Sequence, residues 1–428
     1  MIVSLPYRST TSTAEIPWAQ CLGILSAAKR PQLPDIALSL RHSLKHPIGI
    51  KHSLRECFHP HESVVLAVSD ASRTTGMEQI LPHLVDWLLE SGLVESHIRF
   101  LVATGVHRPA TTEEHEHILG ASLYKRFKNR IHNHNAHDTD NLISVGTTRR
   151  GTQVMLNRYA CECDHLILTG TVMPHYFAGF GGGRKALVPG LSGASTIAQN
   201  HVRSLHPSLP RLDPRVRICV LDDNPVAEDL LEGAQLHPPT FIINTVLGKE
   251  GTIAGLFTGE LNAAHRRACT LARDIYTIPI TEQADLVIAA INTAPNFVQC
   301  HKALFNAYSA LKPGGRIILL APAPEGLGAS GFRRYLEMGE PERIASVVRQ
   351  HPDVNGQTAL STLQKTGKTL LVTELNHKEV ALLGAEKMNS LEEALLRTHD
   401  YFNAQGISHP TCYVMPNAGN TVPIYHEK

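Results

Sequence analysis

Apolar residues in this chain fall into short, β-branched runs separated by longer stretches with a helical period. Residues 63–68 (SVVLAV), 98–105 (IRFLVATG), 165–170 (HLILTG) and 285–292 (DLVIAAIN) are apolar at nearly every position. Strands buried on both faces of a parallel sheet have this pattern, whereas strands with one wet face alternate. Between the first two runs, residues 76–91 (GMEQILPHLVDWLLES) set Ile80, Leu84, Trp87 and Leu88 on one stripe, the buried face of an ordinary helix. Pro82 suits that helix only in its first turn or at a kink. Residues 195–205 (STIAQNHVRSL) predict another helix, capped by Ser192 or Ser195. The opening MIVSLPYRST reads as a strand, and residues 240–259 as a hairpin leading into a helix over 261–273.

Near residues 270–285 the rhythm restarts. The run at 285–292 is followed by a helix over about 299–311, the strand-like KPGGRIILLAP (312–322), a helix near 341–349, KTLLVTEL (368–375) and a helix over 390–403. Strand and helix in alternation predict an α/β fold. The chain reads as two α/β domains, residues 1–275 and 276–428, with the active site in the cleft between them, a usual place for small-molecule sites.

Reactive residues follow each apolar run. Asp70, Ala71, Ser72 and Arg73 come after the first, His107 and Arg108 after the second, His175 and Lys185 after the third, and Asn296, Gln299 and Lys302 after the fourth. In an open α/β sheet, ligands bind outside the carboxyl ends of the strands. The third set lies in PHYFAGFGGGRKA (174–186), where glycines allow backbone amides to approach an anion. A phosphate loop needs Gly before its Lys and Ser or Thr after it, but Arg184 and Ala186 stand there, and Arg184 also breaks a dinucleotide fingerprint. The plain alternative is a glycine turn with a solvated Arg184–Lys185 pair.

Composition narrows the classes. Net charge is +1, with 43% hydrophobic and 18% charged residues, so a globular protein is expected, with neither nucleic acid nor an anionic membrane as partner. Eight cysteines without a C-x-x-C spacing, no signal-like start and no long apolar span predict a reduced, cytoplasmic protein. Histidine is abundant, at 25 residues. His132, His134 and His137, in the polar RIHNHNAHD, are expected to be solvated. His201 by its spacing alone is an ordinary surface or core histidine.

Taken in order, SDxxR (69–73), GVHR (105–108), HYFAGFGGGRK (175–185), His201 and Q-x-x-K (299–302) resemble the nickel-dependent lactate racemase family across about residues 1–415. The resemblance implies an isomerase that racemises or epimerises a 2-hydroxy acid. Its cofactor would be a nickel-pincer nucleotide, a pyridinium mononucleotide with two sulfur-bearing arms, supplied by cofactor-synthesis enzymes of the host. By resemblance Lys185 is the covalent attachment point, His201 the protein ligand to nickel, and His107 and His175 the catalytic acid/base pair. Asp70, Ala71, Ser72, Arg73, Gln299 and Lys302 would hold cofactor and substrate. Residues 1–275 become the cofactor-binding and catalytic domain, and residues 276–428 a contributor to the active site.

The chain departs from the family's commonest form in Ser72-Arg73-Thr74, where Thr-Arg-Pro is usual, and in Cys300-His301 inside Q-x-x-K. These small or polar neighbours favour a substrate more polar than lactate, and Phe332 or Tyr335 is the expected substrate-side aromatic. Two other classes compete: a non-catalytic nucleotide-binding homologue, and a histidine-ligated metal hydrolase. For the latter, His42 and His46 have ligand spacing but no Glu between them, and the H-x-H pairs lie in polar stretches.

Overall fold

The computed structural model describes residues 1–248, 251–292 and 294–425. They form two compact units, both discontinuous in sequence. One comprises Ala28–Arg203 and Arg215–Ile275; the other comprises Met1–Ala27, Ser204–Pro214 and the chain from Tyr276 onward. The first 27 residues therefore do not belong with the segment that follows them, as a boundary at 275 alone would have it. Their hairpin, Ile2–Tyr7 against Thr10–Glu15, buries Val3, Leu5, Ala14 and Ile16 in one core with Leu286, Ile288 and Val414. That burial assigns the segment to the C-terminal unit.

The unit of residues 28–203 and 215–275 is built on a six-stranded sheet. Its order is Ile253–Gly259, Phe241–Leu247, His165–Thr171, Val64–Ser69, Ile98–Ala103, Ile131–Asn133. All neighbours pair in parallel except the hairpin Phe241–Leu247/Ile253–Gly259. Lys249 and Glu250 of that predicted hairpin lie outside the described residues. The strands are buried on both faces, Val64–Val68 and His165–Gly170 throughout, which accounts for their unbroken apolar sequence. Helix Met77–Glu90 covers one face with Ile80, Leu81, Leu84 and Leu88. Pro82 lies in its second turn, inside the helix rather than at its start.

Chain order reverses across this sheet. From Val64–Ser69 the strands run outward through Ile98–Ala103 to Ile131–Asn133, and His165–Thr171 then returns to the other side of Val64–Ser69. Adjacent loops diverge at such a switch point and leave a crevice there. The second unit repeats the device in an all-parallel sheet ordered Glu386–Met388, Thr369–Val372, Leu311–Leu320, Ala284–Ala290, Thr411–Met415, Gln20–Ile24. Its reversal lies beside Ala284–Ala290, whose following helix, Phe297–Ser309, is capped by Asn296. Among the described residues no helix is long and apolar enough to cross a membrane.

Helix Gly356–Thr366 is an unusual part of the second unit, because Gln357, Ser361, Thr362, Lys365 and Thr366 are all buried on it. Thr362 Oγ1 donates to the Thr358 carbonyl (2.8 Å), so it accepts from His301 Nδ1 (3.0 Å). The other imidazole nitrogen then accepts from Ser361 Oγ (3.1 Å), whose oxygen accepts from Lys365 Nζ (2.9 Å). One direction of donation satisfies every member. Lys365 also lies 4.9 Å from the Phe305 ring centroid.

Burial draws the Lys365 amine down from 10.5 to about 7. The unfolded chain therefore binds more protons than the native one between pH 7 and 10.5, and stability rises with pH through that window. Lys365→Met should remove this contribution, so that the stability difference between parent and variant, followed by urea midpoints from pH 7 to 10, favours the variant at pH 7 and shrinks by several kcal/mol as pH rises. Parallel pH profiles for the two proteins would contradict it.

Candidate active site

Three neighbouring strands carry the candidate residues of the first unit on their carboxyl ends. Asp70 follows Val64–Ser69, His107 follows Ile98–Ala103, and His175 and Lys185 follow His165–Thr171. The Gly105 amide donates to the Gly190 carbonyl (2.9 Å), tying the His107 turn to the segment just beyond Lys185.

Asp70 is 9% exposed. Its Oδ1 accepts from the Ser72 amide (2.8 Å) and the Ser72 hydroxyl, and its Oδ2 lies 3.1 Å from His107 Nδ1. Burial pushes the carboxyl pKa up, but the His107 and Ser72 hydrogen bonds outweigh it and hold the group at about 2. An ionised Asp70 fixes the proton on His107 Nδ1 and so leaves the lone pair on Nε2, on a side chain that is 51% exposed. The Asp70 carboxylate is thus engaged by His107 and Ser72. Arg73, whose amide donates to the Asp70 carbonyl, is exposed.

His175 is half-buried. Its Nδ1 accepts from the Phe177 and Ala178 amides (3.2 Å each), and its Nε2 lies 3.1 Å from Lys185 Nζ. The Tyr176 ring stacks on the imidazole at 5.0 Å and 6°. His201 ends helix Ala194–His201, whose N-cap is Gly193 with no side-chain cap rather than Ser192 or Ser195. Its Nδ1 donates to the Ile197 carbonyl (2.8 Å), which leaves the Nε2 lone pair free. Burial, then the nearby Lys185 charge, draws its pKa down to about 4, so the ring is neutral at physiological pH, the form that ligates metals. Lys185 is therefore the common neighbour of His175 and His201.

The glycines of residues 179–183 serve the protein's own packing. Gly179 has φ +72° and a Cβ there would collide with the Val220 carbonyl; at Gly183, with φ +51°, it would lie 2.6 Å from the His265 ring. Arg184 is not solvated beside Lys185. It is 2% exposed, its Nη1 faces His265 Nδ1 (3.1 Å), and Nε and Nη2 have no partner.

Other sequence expectations also change. His134 is 1% exposed and bonded to the Ser192 carbonyl (3.0 Å) and the Asn157 amide (3.0 Å), because it follows strand Ile131–Asn133 into the core. Phe332 and Tyr335 are buried at 0% and 1%, Tyr335 against Gly356, so neither is an exposed substrate-side aromatic. Cys300 and His301 are fully buried on the inner face of helix Phe297–Ser309, while Gln299 is exposed and Lys302 half-buried on its outer face. Sequence reading missed Asp229, which is 1% exposed and accepts from Thr148, Thr152 and Asn200, the residue before His201. No motif or period marks such a network.

Among the described residues no group of three or more His, Cys, Asp or Glu could hold a metal ion, whereas a hydrolytic zinc centre needs three protein ligands. Residues 7–210 match the family model described as lactate racemase N-terminal domain. A lactate racemase of Thermoanaerobacterium thermosaccharolyticum is 27% identical over 389 residues, covering 88% of this chain and 89% of that one. A lactate racemase of Lactiplantibacillus plantarum is 32% identical over 339 residues, 78% of each chain. Among solved structures, the lactate racemase apoprotein from T. thermosaccharolyticum superposes with a TM-score of 0.87 at 25% identity, with 100% of both chains covered. A Thermotoga maritima protein shares the fold, with a TM-score of 0.68 at 19% identity over 93% of this chain. By sequence and by architecture the chain belongs to the lactate racemase family.

Proposed function

We propose that this protein is a racemase or epimerase of a 2-hydroxy acid that works through a nickel-pincer nucleotide attached to Lys185. The observation that carries the reading is the grouping of Lys185 with His175 at 3.1 Å and with a neutral His201 whose Nε2 is free. On this reading a tether, an acid/base and a metal ligand, separated in sequence, would act together. His201 would ligate nickel, and the guanidinium of Arg184, paired with His265 through Nη1 but with Nε and Nη2 unpaired, puts positive charge beside a loop that would hold an anionic nucleotide. When bound, the cofactor supplies an electrophilic pyridinium able to accept hydride, so hydrogen leaves a carbon too weakly acidic for any side-chain base.

The protein's own residues handle the proton and the carboxylate. His107 Nε2 takes the hydroxyl proton of one enantiomer, and Asp70 stabilises the imidazolium that results. His175 serves the other enantiomer, with its ring held by Tyr176 and two backbone amides. Arg73 offers a planar fork to the substrate carboxylate, and Gln299 and Lys302 are the substrate-binding residues contributed by the second unit. Ala71 and Ser72 shape the turn that aims Asp70 and Arg73. Lactate, the substrate in the names of both relatives, is the first acid to test. The case for a more polar substrate loses two of its supports, since Cys300 and His301 are buried.

Protein expressed with cofactor-synthesis enzymes should carry a nucleotide-sized mass adduct on Lys185 and about one nickel per chain. Lys185→Ala should lose the adduct, and His201→Ala should lose nickel while keeping its thermal transition, read by intact mass and metal analysis. A Lys185→Ala protein that kept its adduct would sink the tether. His107→Ala and His175→Ala should each slow interconversion of single enantiomers by at least ~10²-fold, the low end for loss of a positioned acid or base; near-native rates in either would contradict a two-histidine scheme.

A further inference from the structure

The departure at His301 has a role in the second unit. Gln299 and Lys302 lie on one face of helix Phe297–Ser309, with His301 between them in sequence and fully buried on the opposite face. Its two ring nitrogens are bonded to Ser361 and Thr362 of helix Gly356–Thr366 (3.1 and 3.0 Å). Ser361 Oγ is held in turn by Lys365 Nζ (2.9 Å), which also donates to the Ser361 carbonyl (2.9 Å).

Donation has one direction, from Lys365 to Ser361 to His301 and from His301 to Thr362, so neither the ring nor the hydroxyl can rotate without leaving a buried group unpaired. Leucine at 301 would keep apolar bulk but lose both bonds, and rotation of the helix would then be resisted by packing and by Asn306, which donates to the Ala418 carbonyl (2.7 Å). Directional hydrogen bonds narrow the allowed rotation more sharply than dispersion contacts do.

We propose that His301, clamped by Ser361, Thr362 and Lys365, is a positioning residue that sets the rotation of helix Phe297–Ser309 and thereby the orientation of Gln299 and Lys302. The inference rests on the substrate role given to those two residues above. The clamp and both residues it orients lie in one unit.

Ser361→Ala tests it, because it removes one oxygen and breaks the chain in the middle. In holoenzyme, KM for the 2-hydroxy acid should rise about 5- to 10-fold, the effect of one lost buried hydrogen bond, with kcat little changed. In a Gln299→Ala/Lys302→Ala background the same substitution should add less than 2-fold, since nothing is left to aim; residues acting as a unit are non-additive. Backbone amides of residues 299–302 should exchange faster in Ser361→Ala apoprotein, while those of helix Leu391–Ala404 do not change. An equal multiplication of KM in both backgrounds, or an unchanged KM in folded Ser361→Ala, would overturn the clamp while sparing the substrate role of Gln299 and Lys302. An unchanged KM in Gln299→Ala/Lys302→Ala alone would overturn that role and the clamp with it. If Ser361→Ala does not fold, His301→Leu carries the same comparison, and His301→Gln, which keeps a donor and an acceptor, should recover part of the loss.

Discussion

In-register parallel pairing of Val64–Ser69 with a strand on each side is the constraint on which the candidate site depends. Ser69 lies opposite Ala103 on one side, and Ala67 opposite Leu168 on the other, so three chain segments far apart in sequence leave the sheet at one level. A register slip of one residue would reverse the faces of every side chain on the displaced strand. It would also separate Asp70 from His107. Buried apolar side chains on both faces of each strand make such a slip costly, and the core thereby fixes the site.

At Asp70 and His201 the charge state is set by burial, hydrogen bonding and one charged neighbour. Asp70 stays ionised because two neighbours donate to it, and His201 stays neutral because burial and Lys185 oppose its protonation. His265, fully buried beside Arg184, is likewise drawn down, to about 3, so it can accept from the guanidinium. The same principle recurs in the second unit, where neutral His301 accepts from Ser361. In both units, fixed tautomers follow from backbone carbonyls, hydroxyls and one carboxylate placed at a single ring nitrogen.

The strand runs were legible because strands buried on both faces need continuous apolar sequence. The reactive residues were legible because they follow those runs at once. The grouping of Lys185 with His175 follows from one short loop. What His134, Arg184 and Cys300-His301 do was not legible. Polar residues in polar or glycine-rich stretches are usually solvated, and only long-range packing puts these inside. Two of the loop glycines are also required by long-range packing, since Val220 and His265 from other parts of the chain fill the space a side chain would take.

The sequence by itself determined an α/β chain with reactive groups at strand ends, in an order resembling lactate racemases, because apolar periodicity and residue spacing are local properties. Tertiary structure alone decided which segments share a unit, where Asp70 directs its carboxylate, and which ring nitrogen of His201 is free. Those outcomes depend on hydrogen-bond partners and buried surfaces contributed by residues tens to hundreds of positions away, whose placement no local pattern encodes.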